Sequence, residues 1–272
     1  MNRIKEGFEG KAPDLKYYAF DWDDNIVHMP TKIVLEDTSG DEVEMSTEDF
    51  ATFRDRIGNE SFDYMGRTIK GYANNPFRNF RVDGDKQFLI DSMRAKPGPA
   101  WSDFIEAVNN GSIFSIITAR GHNPNTLKQA VYKLIKNNVS GLDQEKLVES
   151  LKKYRDFTGE DIKDDNTMIK EYLDMCRFHP VSFGTGSEAN PEEGKINALR
   201  EFITYCKELA NMVGGKVLFK NDVSNNFVVP SIGFSDDDER NVEKVKEFLN
   251  KEFGLEHPVT TYLTKSQTKT KY

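Results

Sequence analysis

The stretch "SIFSIITARG", residues 112–121, carries apolar or β-branched residues at nearly every position up to Thr118. A strand without a polar face has to be buried on both sides, which is the condition of a central strand in a parallel sheet. Residues 16–21 form a second short apolar run, bounded by charge, and "FHPVSFGTG" at 178–186 is a third candidate. "KVLFK" and "VVPSIGFSDDD" supply later strands. Helical patterns lie between them, over 101–110, 123–137, 141–176 and 239–253. A further helix in "PEEGKINALREFITYCKELA" places Ile196, Leu199, Phe202, Ile203 and Cys206 on one stripe. Strands alternating with helices predict an α/β fold with a parallel sheet.

Two regions stand outside this alternation. "TKIVLEDTSGDEVEMS", residues 31–46, reads as a hairpin around a "TSGD" turn. "STEDFATFRDRIG" reads as a helix capped by Ser46 or Thr47 and stopped at Gly58. Residues 59–96 are mixed and "KPGPAW" punctuates the chain. The end, "TYLTKSQTKTKY", is polar and basic and reads as a frayed tail. No internal repeat is visible.

Composition excludes several classes. The 272 residues carry 37 Lys and Arg against 45 Asp and Glu, a net charge of −8, which argues against a nucleic-acid binder. No run approaches the roughly 18 apolar residues of a membrane helix. "MNRIKEGFEGK" lacks the apolar core of a signal peptide. Two cysteines, Cys176 and Cys206, are too few for a disulfide framework and suggest a reducing, cytoplasmic setting. The four histidines are scattered, so local spacing builds no zinc site.

In an open parallel sheet, ligands bind beyond the carboxyl ends of the strands. Three apolar runs end there in polar groups: Asp21 and Asp23, Thr118, and Asp236 with Asp237. If the strands are neighbours, the two acidic clusters meet. Crowded carboxylates repel unless they are protonated or bound to a cation. Oxygen-only ligands favour a hard ion, and Mg²⁺ suits a few carboxylates, waters and a substrate phosphate. Lys195, at a helix start, is placed to offset the negative charge. Such a set suits phosphoryl transfer: one aspartate attacks phosphorus, and an acid two residues on protonates the leaving alcohol. An EF-hand loop fails at Ile26 and Lys32, and a P-loop fails at Ala189 and Ile196.

Four segments, in order, resemble the motifs of the haloacid dehalogenase superfamily of phosphohydrolases: "AFDWDDN", "IITAR", "EEGKINAL" and "SIGFSDDDERN". The resemblance spans about residues 16–250. It implies a Rossmann-like core, a parallel sheet flanked by helices, formed by residues 12–46 and 97–258. Within that core it implies a flap hairpin at 31–46 and a helical insertion at 138–178. A small cap would be inserted at 47–96, and 259–272 would be a flexible tail.

The resemblance also implies roles. Asp21 is the expected nucleophile and a metal ligand. Asp23 is the general acid and base, binding metal through its carbonyl. Thr118 hydrogen-bonds the phosphoryl group. Lys195 holds nucleophile and phosphate together. Asp236 binds Mg²⁺, with Asp237 one layer further out. Asn25 stands where the family has Thr or Val, and three consecutive aspartates leave the register of the last pair open by one residue. Arg120 is a candidate substrate-binding residue, and His122 beside it another, with surface solvation as the alternative for both. Arg67, Lys70, Arg78 and Arg81 are candidates to contact an anionic substrate from the cap.

The expected activity is Mg²⁺-dependent hydrolysis of a small phosphomonoester, such as a nucleotide or sugar phosphate, through an aspartyl-phosphate. An acid at Asp23 disfavours dehalogenation, because halide leaves without a proton. A phosphomutase, a nucleic-acid 3′-end phosphatase and a non-catalytic α/β binding protein remain alternatives. For each acidic cluster alone, an Asp-rich turn or helix cap is the simpler reading.

Overall fold

The computed structural model describes residues 16–184, 190–218, 231–254, 259–265 and 268–272. The leader reading of residues 1–11, the start of the core at 12–15, residues 185–186 of the third strand, and the ends of two strand candidates, 219–220 and 228–230, lie outside them.

A six-stranded sheet forms the centre, in the order β12-β11-β10-β1-β8-β9. Its members are β1 (Lys16–Phe20), β8 (Phe114–Thr118), β9 (Arg177–Pro180), β10 (Ser231–Asp236), β11 (Val259–Lys265) and β12 (Thr268–Lys271). All pair in parallel except β12, which runs antiparallel to β11. β8 is buried at all five positions, as its unbroken apolar pattern requires. The register levels the carboxyl ends: Phe20 lies beside Ser235 on one side and Ile116 on the other. Asp21 therefore emerges next to Asp236, with Thr118 one step further along the other neighbour.

Helices flank this sheet. α3 (Trp101–Asn109) buries Trp101, Phe104, Ala107 and Val108. α4 (Pro124–Lys136) is capped by Asn123, starts on Pro124, and buries Leu127, Ala130, Val131, Leu134 and Ile135 on one face. α7 (Pro191–Leu218) packs on β8 and β9, and α8 (Glu239–Phe253) packs on β10 and β11.

Three expected boundaries are corrected. First, residues 138–178, expected as a helical insertion within the core, supply a large share of the main core itself. α5 (Gln144–Thr158) and α6 (Asp165–Met175) place Leu147, Val148, Leu151, Met168, Ile169, Tyr172 and Leu173 in the main core, as part of the crossover to β9. Their polar look comes from wide solvent faces around a narrow apolar stripe.

Second, the segments expected as a flap, 31–46, and a cap, 47–96, share one sheet. β3 (Ile33–Asp37) and β4 (Glu42–Met45) share a four-stranded antiparallel sheet with β5 (Phe62–Tyr64) and β6 (Arg67–Tyr72), in the order β4-β3-β6-β5. A lone hairpin is marginal in water, and β6 covers its open edge. With α1 (Thr47–Phe53), capped by Ser46, this sheet encloses its own core of Ile33, Leu35, Met45, Ile57, Phe62, Ile69 and Phe80. α2 (Asp85–Ser92) belongs elsewhere, since its Phe88 joins the main core. The remaining strands, β2 (Val27–His28) and β7 (Lys96–Pro97), pair antiparallel as a separate two-stranded sheet.

Third, the tail is not frayed. β11 and β12 extend the main sheet, with Val259, Thr261 and Thr264 buried. β12 is exposed throughout and carries lysines, a common way to protect a sheet edge. Removing residues 259–272 is expected to cost about 3 kcal/mol or more, read as a lower urea midpoint. A loose tail would leave that midpoint unchanged. "KVLFK" is also corrected, because Lys216, Val217 and Leu218 continue α7 instead of starting a strand.

Candidate functional site

The loop after β1 is shaped by a buried amide. Asn25 Nδ2 donates to the carbonyls of Asp21 (3.0 Å) and Ser235 (3.1 Å) and to Ser235 Oγ (3.0 Å). Its Oδ1 accepts from Thr264 Oγ1 at 2.6 Å. The residue that departs from the family motif thus ties the loop to β10 and β11. The chain turns through Asp24, whose φ is 55° and whose Oδ1 lies 2.8 Å from His28 Nδ1. "KPGPAW" packs directly on this turn. A Cβ at Gly98 would lie 2.5 Å from the Asn25 carbonyl oxygen, so only glycine permits the approach.

Asp21 and Asp236 meet at the sheet edge as the register requires. Lys195 Nζ stands between them, 2.8 Å from Asp21 Oδ1 and 2.7 Å from Asp236 Oδ2. All three groups are at most 5% exposed. Gly194 lets the start of α7 come this close, because a Cβ there would lie 2.8 Å from Val181 Cβ. Asp236 also accepts from the Asp238 backbone N–H (3.0 Å) and from Asn241 Nδ2 (3.1 and 3.2 Å).

Asp237 joins the cluster: Asp21, Asp236 and Asp237 each offer an oxygen within 4.8 Å of the others. Asp238 does not join it. Its carboxylate caps α8 by accepting from Arg240 N at 3.0 Å. The acidic pair at the site is therefore Asp236 and Asp237.

Three carboxylates face one ammonium, and the imbalance shows in their proton affinities. Burial pushes the Asp21 carboxyl up to about 8, the Lys195 charge opposes this, and Asp236 and Asp23 add to it. Burial and the charges of Asp236 and Asp21 hold Asp237 well above the usual carboxylate range. Burial alone would lower Lys195, but Asp21 and Asp236 together raise it, so it stays charged. The donor set is all oxygen, partly buried and short of positive charge. That fits a hard divalent cation.

Asp23 points to a second cluster. Both its oxygens accept from Arg120: Nε to Oδ2 at 2.8 Å and Nη2 to Oδ1 at 2.7 Å. Arg120 Nη2 also donates to Thr31 Oγ1 (3.1 Å), and Nη1 lies 3.2 Å from His122 Nε2. Arg120 and His122 are 1% and 0% exposed, which overturns the solvated reading of both. Arg120 was expected to reach substrate; it is instead engaged beneath Asp23. Thr118 is buried at the end of β8, where its Oγ1 accepts from Arg120 N at 3.3 Å.

The smaller sheet reaches the edge of this site. Arg54 Nη1 lies 2.9 Å from Asp238 Oδ2, and Arg240 pairs with both oxygens of Asp55 at 2.9 and 2.7 Å. Arg81 Nη1 donates to the Ser182 carbonyl at 2.7 Å. The other expected substrate contacts are engaged within the small sheet itself: Arg67 with Asp37 and Asp41, Lys70 with Glu36, and Arg78 with Glu42. Sequence reasoning missed Asn25 as a clamp, Asn241, Arg54 and Asp85. Only Asn241 carried a local signal, standing in the first turn of a helix that opens on the acidic motif.

No family model, curated protein or solved structure matches this chain. Among the described residues, no helix is long and apolar enough to cross a membrane.

Proposed function

We propose that the chain is a Mg²⁺-dependent phosphomonoester hydrolase of the haloacid dehalogenase type, with the smaller sheet as its cap. One observation carries this reading. Carboxylates from opposite ends of the chain, Asp21 against Asp236 and Asp237, converge around the Lys195 ammonium at the carboxyl edge of a parallel sheet.

The proposed chemistry gives each group one role. Asp21 attacks phosphorus, its P–O bond forms, and the ester P–O bond breaks. The departing oxygen takes a proton from Asp23. Water then attacks the aspartyl-phosphate and gives a proton to Asp23, freeing phosphate and restoring Asp21. Lys195, held by two carboxylates, presents a fixed positive charge to the transferring oxygens. Thr118 adds a hydroxyl at the same edge. A bound Mg²⁺, held by Asp21, Asp236, Asp237 and the Asp23 carbonyl, would neutralise charge on the phosphoryl oxygens. The proposed substrate is a small phosphomonoester such as a nucleotide or sugar phosphate. A reducing, cytoplasmic setting belongs to the same proposal and agrees with Cys176 and Cys206 being buried free thiols.

The test is a phosphate-release screen over small phosphomonoesters, with Mg²⁺ and with EDTA. Release that depends on the cation is expected for at least one ester. Interconversion of phosphorylated isomers without release would reassign the chain to a phosphomutase. No cation-dependent turnover of any ester would overturn the reading.

A further inference from the structure

We infer that Asp85 and His122 are positioning residues, which act through Arg120 to fix the carboxylate of the proton donor Asp23. This rests on the phosphatase reading. Four groups, none adjacent in sequence to Asp23, form a directed hydrogen-bond chain. Thr126 Oγ1 donates to Asp85 Oδ2 at 2.7 Å. The other oxygen, Oδ1, lies 2.8 Å from His122 Nδ1. His122 Nε2 lies 3.2 Å from Arg120 Nη1, and Arg120 then grips Asp23 with two parallel bonds.

The chemistry of each group sets the direction. An arginine offers only donors, so His122 Nε2 must accept, and Nδ1 must carry the proton given to Asp85. That is a neutral imidazole of one tautomer. A proton on both nitrogens would set an N–H against an N–H. Burial and the Arg120 charge agree with this, lowering His122 to about 4 against the opposing pull of Asp85.

The grip matters because a bidentate pair alone lets guanidinium and carboxylate shift together. Arg120 is held at its far end by His122, at its Nη2 by Thr31, and on its face by Phe80 and Phe88, 4.5 and 5.0 Å from its carbon centre. Phe88 in turn lies 4.5 Å from the His122 ring, centre to centre. Asp23 is thereby held in one orientation at 16% side-chain exposure, open enough to meet a leaving group. A proton donor works only within hydrogen-bond reach of the oxygen it serves, so a loosened Asp23 loses that step first.

The test compares two esters whose leaving groups differ in need for a proton. On an alkyl phosphomonoester found by the release screen, Asp85→Ala is expected to lower kcat about 10-fold, with KM nearly unchanged. On para-nitrophenyl phosphate, whose phenolate departs without a proton, the variant's single-turnover rate of phenolate release, which precedes the water step, should stay within about 2-fold of the parent. Asp85→Asn keeps an acceptor for His122 and should recover most of the alkyl-ester loss. Asp85 is the preferred position because it is partly exposed, whereas His122 is stacked in the core.

Nitrogen NMR of the labelled whole protein gives a second readout, independent of turnover. The expected His122 signal is a neutral ring protonated at Nδ1; an imidazolium, or a ring protonated at Nε2, would overturn the chain. Equal losses in single-turnover release of the leaving group from both esters, or no loss on either, would overturn the positioning role while leaving the phosphatase reading intact. Parent protein that hydrolyses neither ester overturns both.

Discussion

Asp21→Asn is expected to yield a protein that releases no phosphate and yet is more stable than its parent without divalent cations. The loss of turnover follows from the nucleophilic role proposed for Asp21 and should reach about 10⁴-fold or more. The gain in stability follows from charge. Asp21 is buried beside Asp236 and Asp23, and its carboxyl is raised from 3.8 to about 8. A group that binds its proton more tightly when folded favours the folded state fully below its unfolded value. That contribution fades as pH climbs through the folded value. The cation-free parent should therefore lose stability between about pH 4 and about pH 8.

An amide at this place stays neutral throughout and still offers Lys195 an acceptor oxygen. In EDTA, the thermal midpoint of the variant should exceed that of the parent by roughly 5 °C near pH 8 and by much less near pH 5. Added Mg²⁺ should close the gap from the parent's side, because ligand binding to the folded form raises its midpoint. Turnover of a genuine substrate within tenfold of the parent would remove Asp21 from its role. A midpoint below the parent at both pH values would show that its charge is not the stressed one.

The central sheet could be read from the sequence because its signals are local. β8 is apolar on both faces, and only a buried parallel strand accommodates that. Once the strands are parallel, their carboxyl ends must share an edge, so the meeting of Asp21 with Asp236 follows from topology. The register of the acidic pair needed one more fact, the start of α8, since Asp238 is spent on the helix cap.

What escaped notice depends on non-local pairing. β6 joins β3 across thirty-odd residues with a register shift at Glu36 and Asp37, and no local pattern encodes that partner. The tail looked frayed because alternating threonines and lysines carry little hydrophobic signal, while its burial comes from β10 alongside. "KVLFK" reads as a strand because its apolar run is short, yet α7 continues through Leu218. The Asp85, His122, Arg120 and Asp23 chain joins three segments brought together only by the fold. Arg120 and His122, read as solvated or substrate-facing, are instead its buried middle.

Lys195→Met should produce the opposite stability change with a similar loss of function. The ammonium is the only cation within hydrogen-bond reach of Asp21 and Asp236 among the described side-chain contacts, and its removal leaves both carboxylates buried without a counter-charge. Breaking a buried pair in this way costs about 3–5 kcal/mol. The thermal midpoint of the variant in EDTA should fall by roughly 10 °C near pH 8. It should recover in part near pH 5, where the proton that folded Asp21 holds is taken up from solution at lower cost. Mg²⁺ should restore stability, since a divalent cation can replace the missing charge, but should leave turnover at least about 10³-fold down because the transferring oxygens still lack their fixed donor.

That separation of stability from activity is the discriminating result. A lysine that merely solvates a helix start would give a Met variant that melts and works like the parent. Combining the two changes sharpens the contrast. Asp21→Asn removes one of the charges that Lys195→Met exposes, so the double variant should be more stable than Lys195→Met alone by more than Asp21→Asn adds to the parent. Such a surplus is a coupling energy, and it arises only if the two groups share one buried electrostatic site.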